Sequence, residues 1–205
     1  MKIYFSADYH LDHANIIKYA NRPFTHKHDL NPDETWKSPE IKQQRCQEMN
    51  LSIVRNHNNK LTEDDLLYHI GDFSFKGTSN ARYWENQLNG TITHILGNHD
   101  KNNGVKSYIT HAIMKFGGNI VYVTHVPPEN NQMETLESYV ISACDFIICG
   151  HVHDLWKHKH IETWSHGCRN KKLAINVGVD VWNYEPVSIY SILKYISKVN
   201  RGIIK

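Results

Sequence analysis

The sequence predicts a layered α/β fold with its chemistry at the strand ends, and three observations carry that expectation. Five short runs are rich in β-branched, aromatic or aliphatic residues, segments of helical periodicity separate them, and each run leads straight into a polar cluster. The clusters are Asp8-Tyr9-His10, Gly71-Asp72, Gly97-Asn98-His99-Asp100, His125 and Gly150-His151-Val152-His153. In sheets flanked by helices, ligands bind in the crevice outside the carboxyl ends of the strands, so groups distant in sequence can meet there.

The first run is Ile3 to Ala7. Ala14 to Ala20 then places Ile16, Ile17 and Tyr19 at helical spacing, and Pro23 stops the pattern because proline disfavours the helical region for its predecessor. A polar loop follows through His26, His28, Asn31-Pro32 and Ser38-Pro39, long enough to be a substrate-facing insertion. Ile41, Met49, Ile53 and Val54 support a long amphipathic helix from Glu40 to His57. Leu66 to Ile70 is the second run, with His69 read as a satisfied core or face residue. Ser79 to Leu88 is read as a helix with Tyr83, Trp84 and Leu88 inward, ended by Asn89-Gly90. Ile92 to Leu96 and Ile120 to Thr124 are the third and fourth runs. Glu134 to Ala143 is a helix before the fifth run, Phe146 to Cys149, and Leu173 to Val177 a late strand. Lys157-His158-Lys159-His160 and Arg169-Asn170-Lys171-Lys172 fit a solvated hairpin. Ser188 caps a last helix whose stripe is Ile189, Ile192, Leu193, Ile196 and Val199.

With 205 residues, 40% of them hydrophobic, the chain suits one domain spanning 1–205 around one core. Net charge is +2 and basic residues alternate with acidic ones, so neither stable nucleic-acid binding nor membrane binding is expected. The four cysteines lack Cys-x-x-Cys spacing and are read as reduced and structural. With no apolar leader or bilayer-spanning run, a cytoplasmic protein is expected.

The clusters pair carboxylate and amide oxygens with imidazoles, the donors that Mn²⁺, Fe²⁺, Zn²⁺ or Ni²⁺ accept; a structural zinc site would more often use thiolates, and no cysteine belongs to them. A carboxylate with two oxygens can bridge two ions roughly 3.5–4 Å apart, the usual clamp for in-line displacement at phosphorus, and Asp72 is the natural bridge. Glycines at 71, 97 and 150 allow the sharp exits from the strands that such turns require. Singly the motifs are weak; together and in this order they are specific.

This ordered set resembles the signature of the calcineurin-like metallophosphoesterase superfamily. Asn21-Arg22-Pro23-Phe24, the segment Asn176 to Trp182 and Glu185-Pro186-Val187-Ser188 also resemble its small single-domain branch in phages and bacteria. The resemblance implies a four-layer α/β/β/α sandwich of two mixed sheets flanked by helices. It implies two divalent metals, one held by Asp8, His10, Asp72 and His153 and the other by Asp72, Asn98, His125 and His151. A hydroxide held between them would attack phosphorus, His99 would protonate the leaving oxygen, and Asp100 would orient His99. Elementary chemistry agrees, since two cations supply hydroxide near neutral pH and an imidazole free of metal suits a general acid. His13 is expected either to contact the substrate phosphate or to make a loop hydrogen bond. Arg22 is expected either to clamp that phosphate or to pair with a carboxylate. In one departure, Asp12 stands where relatives usually have glycine, which is expected to alter loop shape or substrate preference near His13.

The expected activity is hydrolysis of a phosphate ester, preferentially a phosphodiester of a nucleotide-like or small molecule. A phosphomonoesterase, a nuclease and a noncatalytic metal-dependent phosphate-ligand binder stand as alternatives.

Overall fold

The structure, a computed structural model, describes residues 1–75, 80–128 and 135–204. In chain order its elements are β1 (Ile3–Ser6), α1 (Ile16–Tyr19), α2 (Pro39–Lys60), β2 (Leu66–Ile70), α3 (Asn80–Glu85), β3 (Thr91–Ile95), β4 (His111–Phe116), β5 (Asn119–Thr124), α4 (Leu136–Ala143), β6 (Phe146–Cys149), β7 (His158–Ser165), β8 (Cys168–Asn176), β9 (Val187–Ser188) and α5 (Ile189–Asn200).

The strands form two mixed sheets, ordered β3-β2-β1-β9 and β4-β5-β6-β8-β7. Within them β1, β2 and β3 run parallel, as do β5, β6 and β8. Parallel pairing turns the carboxyl ends of these strands, and the clusters after them, to one edge of each sheet.

Period-two alternation sorts each strand between two layers. Phe5, Ile70, Ile95, Val121, Val123, Phe146, Ile148 and Ile175 form the buried layer between the sheets. Tyr4 and Leu67, from the other face of the first sheet, meet Leu61 just beyond α2. Tyr122 and Ile147 face the opposite way and pack with Ile141 of α4. Helices α1, α2 and α3 contribute Ile16, Ile17, Cys46, Met49, Ile53, Ala81 and Trp84 to an outer core. The result is the α/β/β/α sandwich, with α5 inserting Ile192 at the rim of the inter-sheet layer.

Several elements differ in extent from their sequence-based bounds. Helix α1 has four residues, because the preceding segment is taken up in turns in which His13 N–H donates to His10 O and Ile16 N–H to His13 O. Helix α2 runs to Lys60, and its buried stripe includes polar Asn50 and His57, whose ring bonds the Tyr9 hydroxyl at 2.9 Å. His69 is buried, but neither ring nitrogen has a hydrogen-bond partner among the described residues, contrary to its reading as a satisfied residue. The two basic stretches fall on β7 and β8 of one antiparallel hairpin except for Lys157, which precedes β7 and sets its ammonium over the Trp182 ring. The expected helix starts at Ser79 and Glu134 lie outside the described residues. Among the described residues no helix is long and apolar enough to cross a membrane.

Candidate metal centre

The loops leaving β1 and β2 zip together beyond the sheet: Asp8 N–H donates to Gly71 O, His10 N–H to Asp72 O and Leu11 N–H to Phe73 O. Next to β1, Ala7 N–H donates to Val177 O and Val179 N–H to Ala7 O, joining the two sheets at the site. Five of the seven expected ligands sit in the left-handed backbone region, with φ of 59° at Asp8, 51° at His10, 57° at Asp72, 71° at His151 and 45° at His153. Such residues cost on the order of 1 kcal/mol each and persist only where their surroundings over-determine them. Close approach forces glycine nearby, since a Cβ on Gly97 would lie 2.6 Å from Asp72 N.

Two groups of ligand atoms converge. Asp8, His10 and His153 form one and Asp72, His125 and His151 the other, each with its donor atoms within 4.8 Å of one another. Asp72 Oδ2 stands between them, 3.5 Å from His10 Nε2 and 3.4 Å from His125 Nε2. Asn98 Oδ1 joins the second group, 3.0 Å from His125 Nε2 and 3.1 Å from His151 Nδ1. All seven expected ligands are thus brought to one place.

The donors suit borderline divalent cations, and an independent observation agrees: Asp8 Oδ1 and His10 Nε2 are buried with no hydrogen-bond partner among the described residues. Such orphaned atoms cost free energy unless something charged meets them. Tautomers are set from behind. His125 Nδ1–H donates to Ile70 O at 2.9 Å and His153 Nδ1–H to Asp180 Oδ2 at 2.9 Å, leaving each Nε2 free for a cation.

Burial and mutual charge perturb the cluster's titratable groups. Burial pushes the Asp8 carboxyl up to about 6 and holds His10 well below the usual imidazole range. Burial also disfavours charge on His125, but its bond to Asp72 and the nearby Asp8 outweigh this and raise it to about 9. Asp72 and His125 therefore stabilise each other's charged forms.

The surrounding residues divide differently from expectation. Arg22 does not face a substrate. It is 1% exposed; its Nε donates to Asp180 Oδ1 at 2.8 Å, its Nη2 to Asp180 Oδ2 at 3.1 Å and Asp8 O at 2.6 Å, and its Nη1 to Tyr9 O at 3.0 Å. Burial and the carboxylate behind the site claim it, the second of the two roles expected. Nor does Asp100 bond the His99 ring: its carboxylate accepts from the N–H groups of Asp72 (2.8 Å), Phe73 (2.9 Å) and Gly97 (2.7 Å) and so clamps the second and third loops together. His13 bonds His10, Nδ1 to Nδ1 at 3.2 Å, and stacks on Phe75 with ring centroids 4.0 Å apart. The His99 ring has no hydrogen bond among the described residues; it is 45% exposed, with Nε2 3.9 Å from Asp72 Oδ2. Asp12 is a tie between elements, accepting from Asn50 Nδ2 of α2 at 2.7 Å and from Asn80 Nδ2 and Trp84 Nε1 of α3 at 2.7 and 2.9 Å. Its own φ of 65° lies in the left-handed region, where glycine would be unstrained.

Sequence reasoning missed Asp180 and Phe75. Asp180 was within reach, in the segment Asn176 to Trp182; Phe75 carried no signal.

Comparison with known proteins agrees with this geometry. The pattern described as the calcineurin-like phosphoesterase superfamily domain matches residues 47–193. An uncharacterized protein of Methanocaldococcus jannaschii is 34% identical over 199 residues, 96% of this chain and 92% of its own. The crystal structure of a protein of unknown function from Aquifex aeolicus superposes with a TM-score of 0.61 at 25% identity, covering 95% of this chain and 98% of that one. With the ordered motifs, the sandwich and the paired ligand groups, these matches show that the chain belongs to the calcineurin-like phosphoesterase superfamily.

Proposed function

We propose that the protein is a dinuclear metal-dependent phosphodiesterase acting on a small, nucleotide-like phosphoester. The observation that carries this reading is the pairing of two candidate ligand groups around Asp72, with the His99 ring, which has no hydrogen bond among the described residues, at their rim. Asp8, His10, Asp72 and His153 would hold one cation, and Asp72, Asn98, His125 and His151 the other. Two such cations make water nucleophilic near neutral pH and neutralise charge on a phosphoryl group.

The chain's own residues account for the rest. Asp72 takes hydrogen bonds from the His99 N–H at 3.0 Å, so the loop carrying the acid is anchored to the shared ligand. The His99 carbonyl accepts from Asn103 Nδ2 at 2.7 Å, fixing the same loop from its far side. The exposed His99 ring can therefore hand a proton to a leaving alkoxide and recover it from solvent. A general acid matters most for poor leaving groups, which favours a diester of an alcohol.

The test compares hydrolysis of methyl p-nitrophenyl phosphate with that of an alkyl diester after stripping with chelator and reloading with Mn²⁺. Chelation and Asp72→Asn should each abolish turnover, while His99→Ala should cost about 100-fold on the alkyl diester and less on the activated ester. Full turnover after both chelation and Asp72→Asn would falsify the reading. Tight phosphate binding without turnover would replace it with a binding role.

A further inference from the structure

Beside the metal centre lies a pocket of about 390 Å³ lined by residues that include His13, Asn15, Pro39, Lys42, Gln43 and Phe75. Its wall is shared with the site. Phe75 stacks on His13 and also meets His10 at 5.4 Å and His99 at 5.0 Å between ring centroids. The Phe75 ring thus touches both the site histidines and the pocket.

The lining offers side-chain donors. Lys42 is half-buried in its lining; its backbone N–H donates to Ser38 O, but its ammonium makes no ion pair or hydrogen bond with any described residue. The Asn15 Oδ1 accepts from Trp36 Nε1 at 3.4 Å, so its amide N–H groups remain to donate. Asp12, the carboxylate in the lining, makes no ion pair with Lys42; its two oxygens accept instead from Asn50, Asn80 and Trp84. A free cation, amide donors and an aromatic wall together suit an anion carried on an apolar or planar unit.

We infer that this pocket binds the part of the substrate remote from the reacting phosphorus and selects phosphoesters carrying a second anionic group, phosphate or carboxylate, which Lys42 meets. The inference deepens the phosphoesterase reading and rests on it for placing phosphorus between the two ligand groups. The second anion is recognised by charge and the intervening unit by contact with Phe75 and His13.

Phosphonates are not hydrolysed, so their binding tests the pocket apart from catalysis. Isothermal titration of the Mn²⁺-loaded protein would compare phenylphosphonate with 4-carboxyphenylphosphonate and 4′-carboxybiphenylphosphonate, which carry the second anion at two distances. One carboxylated ligand should bind about fivefold more tightly than phenylphosphonate, a factor typical of one partly exposed charge pair. Lys42→Gln should abolish that preference and Lys42→Glu reverse it, with phenylphosphonate affinity unchanged in Lys42→Gln. Equal affinities for all three ligands in the wild type, or a preference that survives Lys42→Gln, would overturn the inference. Alkyl-diester turnover measured on the same preparations separates the two ideas. Turnover without the preference removes the pocket's role and keeps the phosphodiesterase; the preference without turnover does the reverse.

Discussion

Replacing Asp180 by alanine removes a carboxylate that joins a buried cation to a candidate ligand. Its side chain is 1% exposed and meets Arg22 Nε at 2.8 Å, Arg22 Nη2 at 3.1 Å and His153 Nδ1 at 2.9 Å. Among the described residues Arg22 would keep the carbonyls of Asp8 and Tyr9, the Met49 sulfur and the face of the Tyr184 ring, with no carboxylate to meet a fully enclosed charge. Removing one member of a buried pair costs about 3–5 kcal/mol, which for a chain of this length lowers the melting temperature by roughly 6–20 °C. Replacing both members by apolar residues, Arg22→Met with Asp180→Leu, should restore most of that stability, since it also removes the orphaned charge. It should not restore orientation of His153. Loss of the partner behind a metal-binding histidine typically weakens affinity about 10–100-fold, and only the ion held with His153 should suffer. Calorimetric melting in chelator reads the first effect, and Mn²⁺ titration resolving two binding steps reads the second. A double variant that regains stability and binds both ions like the wild type would refute the positioning role. A loss under about 1 kcal/mol in Asp180→Ala would refute the enclosed ion pair itself.

Asp12 offers a second test: Asp12→Ala loses three hydrogen bonds to a carboxylate and puts a Cβ at a φ of 65° without a compensating side chain, for about 2–4 kcal/mol. Asp12→Gly loses the same bonds but relaxes the backbone, so urea titration should find it about 1 kcal/mol more stable than Asp12→Ala; equal stabilities would contradict the strain argument. At Asp29, hydrogen bonds from Arg45 at 2.7 and 3.2 Å, with one from the His26 N–H, hold the carboxyl down to about 2. A lowered carboxyl stabilises the fold above its ordinary range near 4, and that contribution disappears as pH falls through about 2. The stability gap between wild type and Asp29→Asn should therefore be full at pH 6 and close below pH 4, and a gap constant from pH 6 to pH 2 would argue against the pairing.

The strands that carry the clusters were readable because their apolar runs end abruptly in polar residues. Strand β4 was not read, although Gly117-Gly118 between two alternating runs is a hairpin signal; Phe116 pairs with Asn119 across that turn. As an edge strand it exposes every second side chain, so its hydrophobic pattern is diluted. The role of Asp100 was misjudged for another reason. A carboxylate next to a histidine in sequence suggests a pair, yet the turn directs Asp100 inward to three backbone N–H groups and His99 outward to solvent.

By itself the sequence determined the layered α/β class and singled out seven candidate ligands, because period-two patterning and ligand chemistry are local properties of residue type. Only the tertiary structure decided how those residues face one another. Five of these candidates occupy left-handed backbone that no local preference for Asp or His would select strongly. They stay there because loops from different strands hydrogen-bond across the site, with Arg22, Asp100 and Asp180 anchoring them from behind, and those contacts exist only once both sheets have packed.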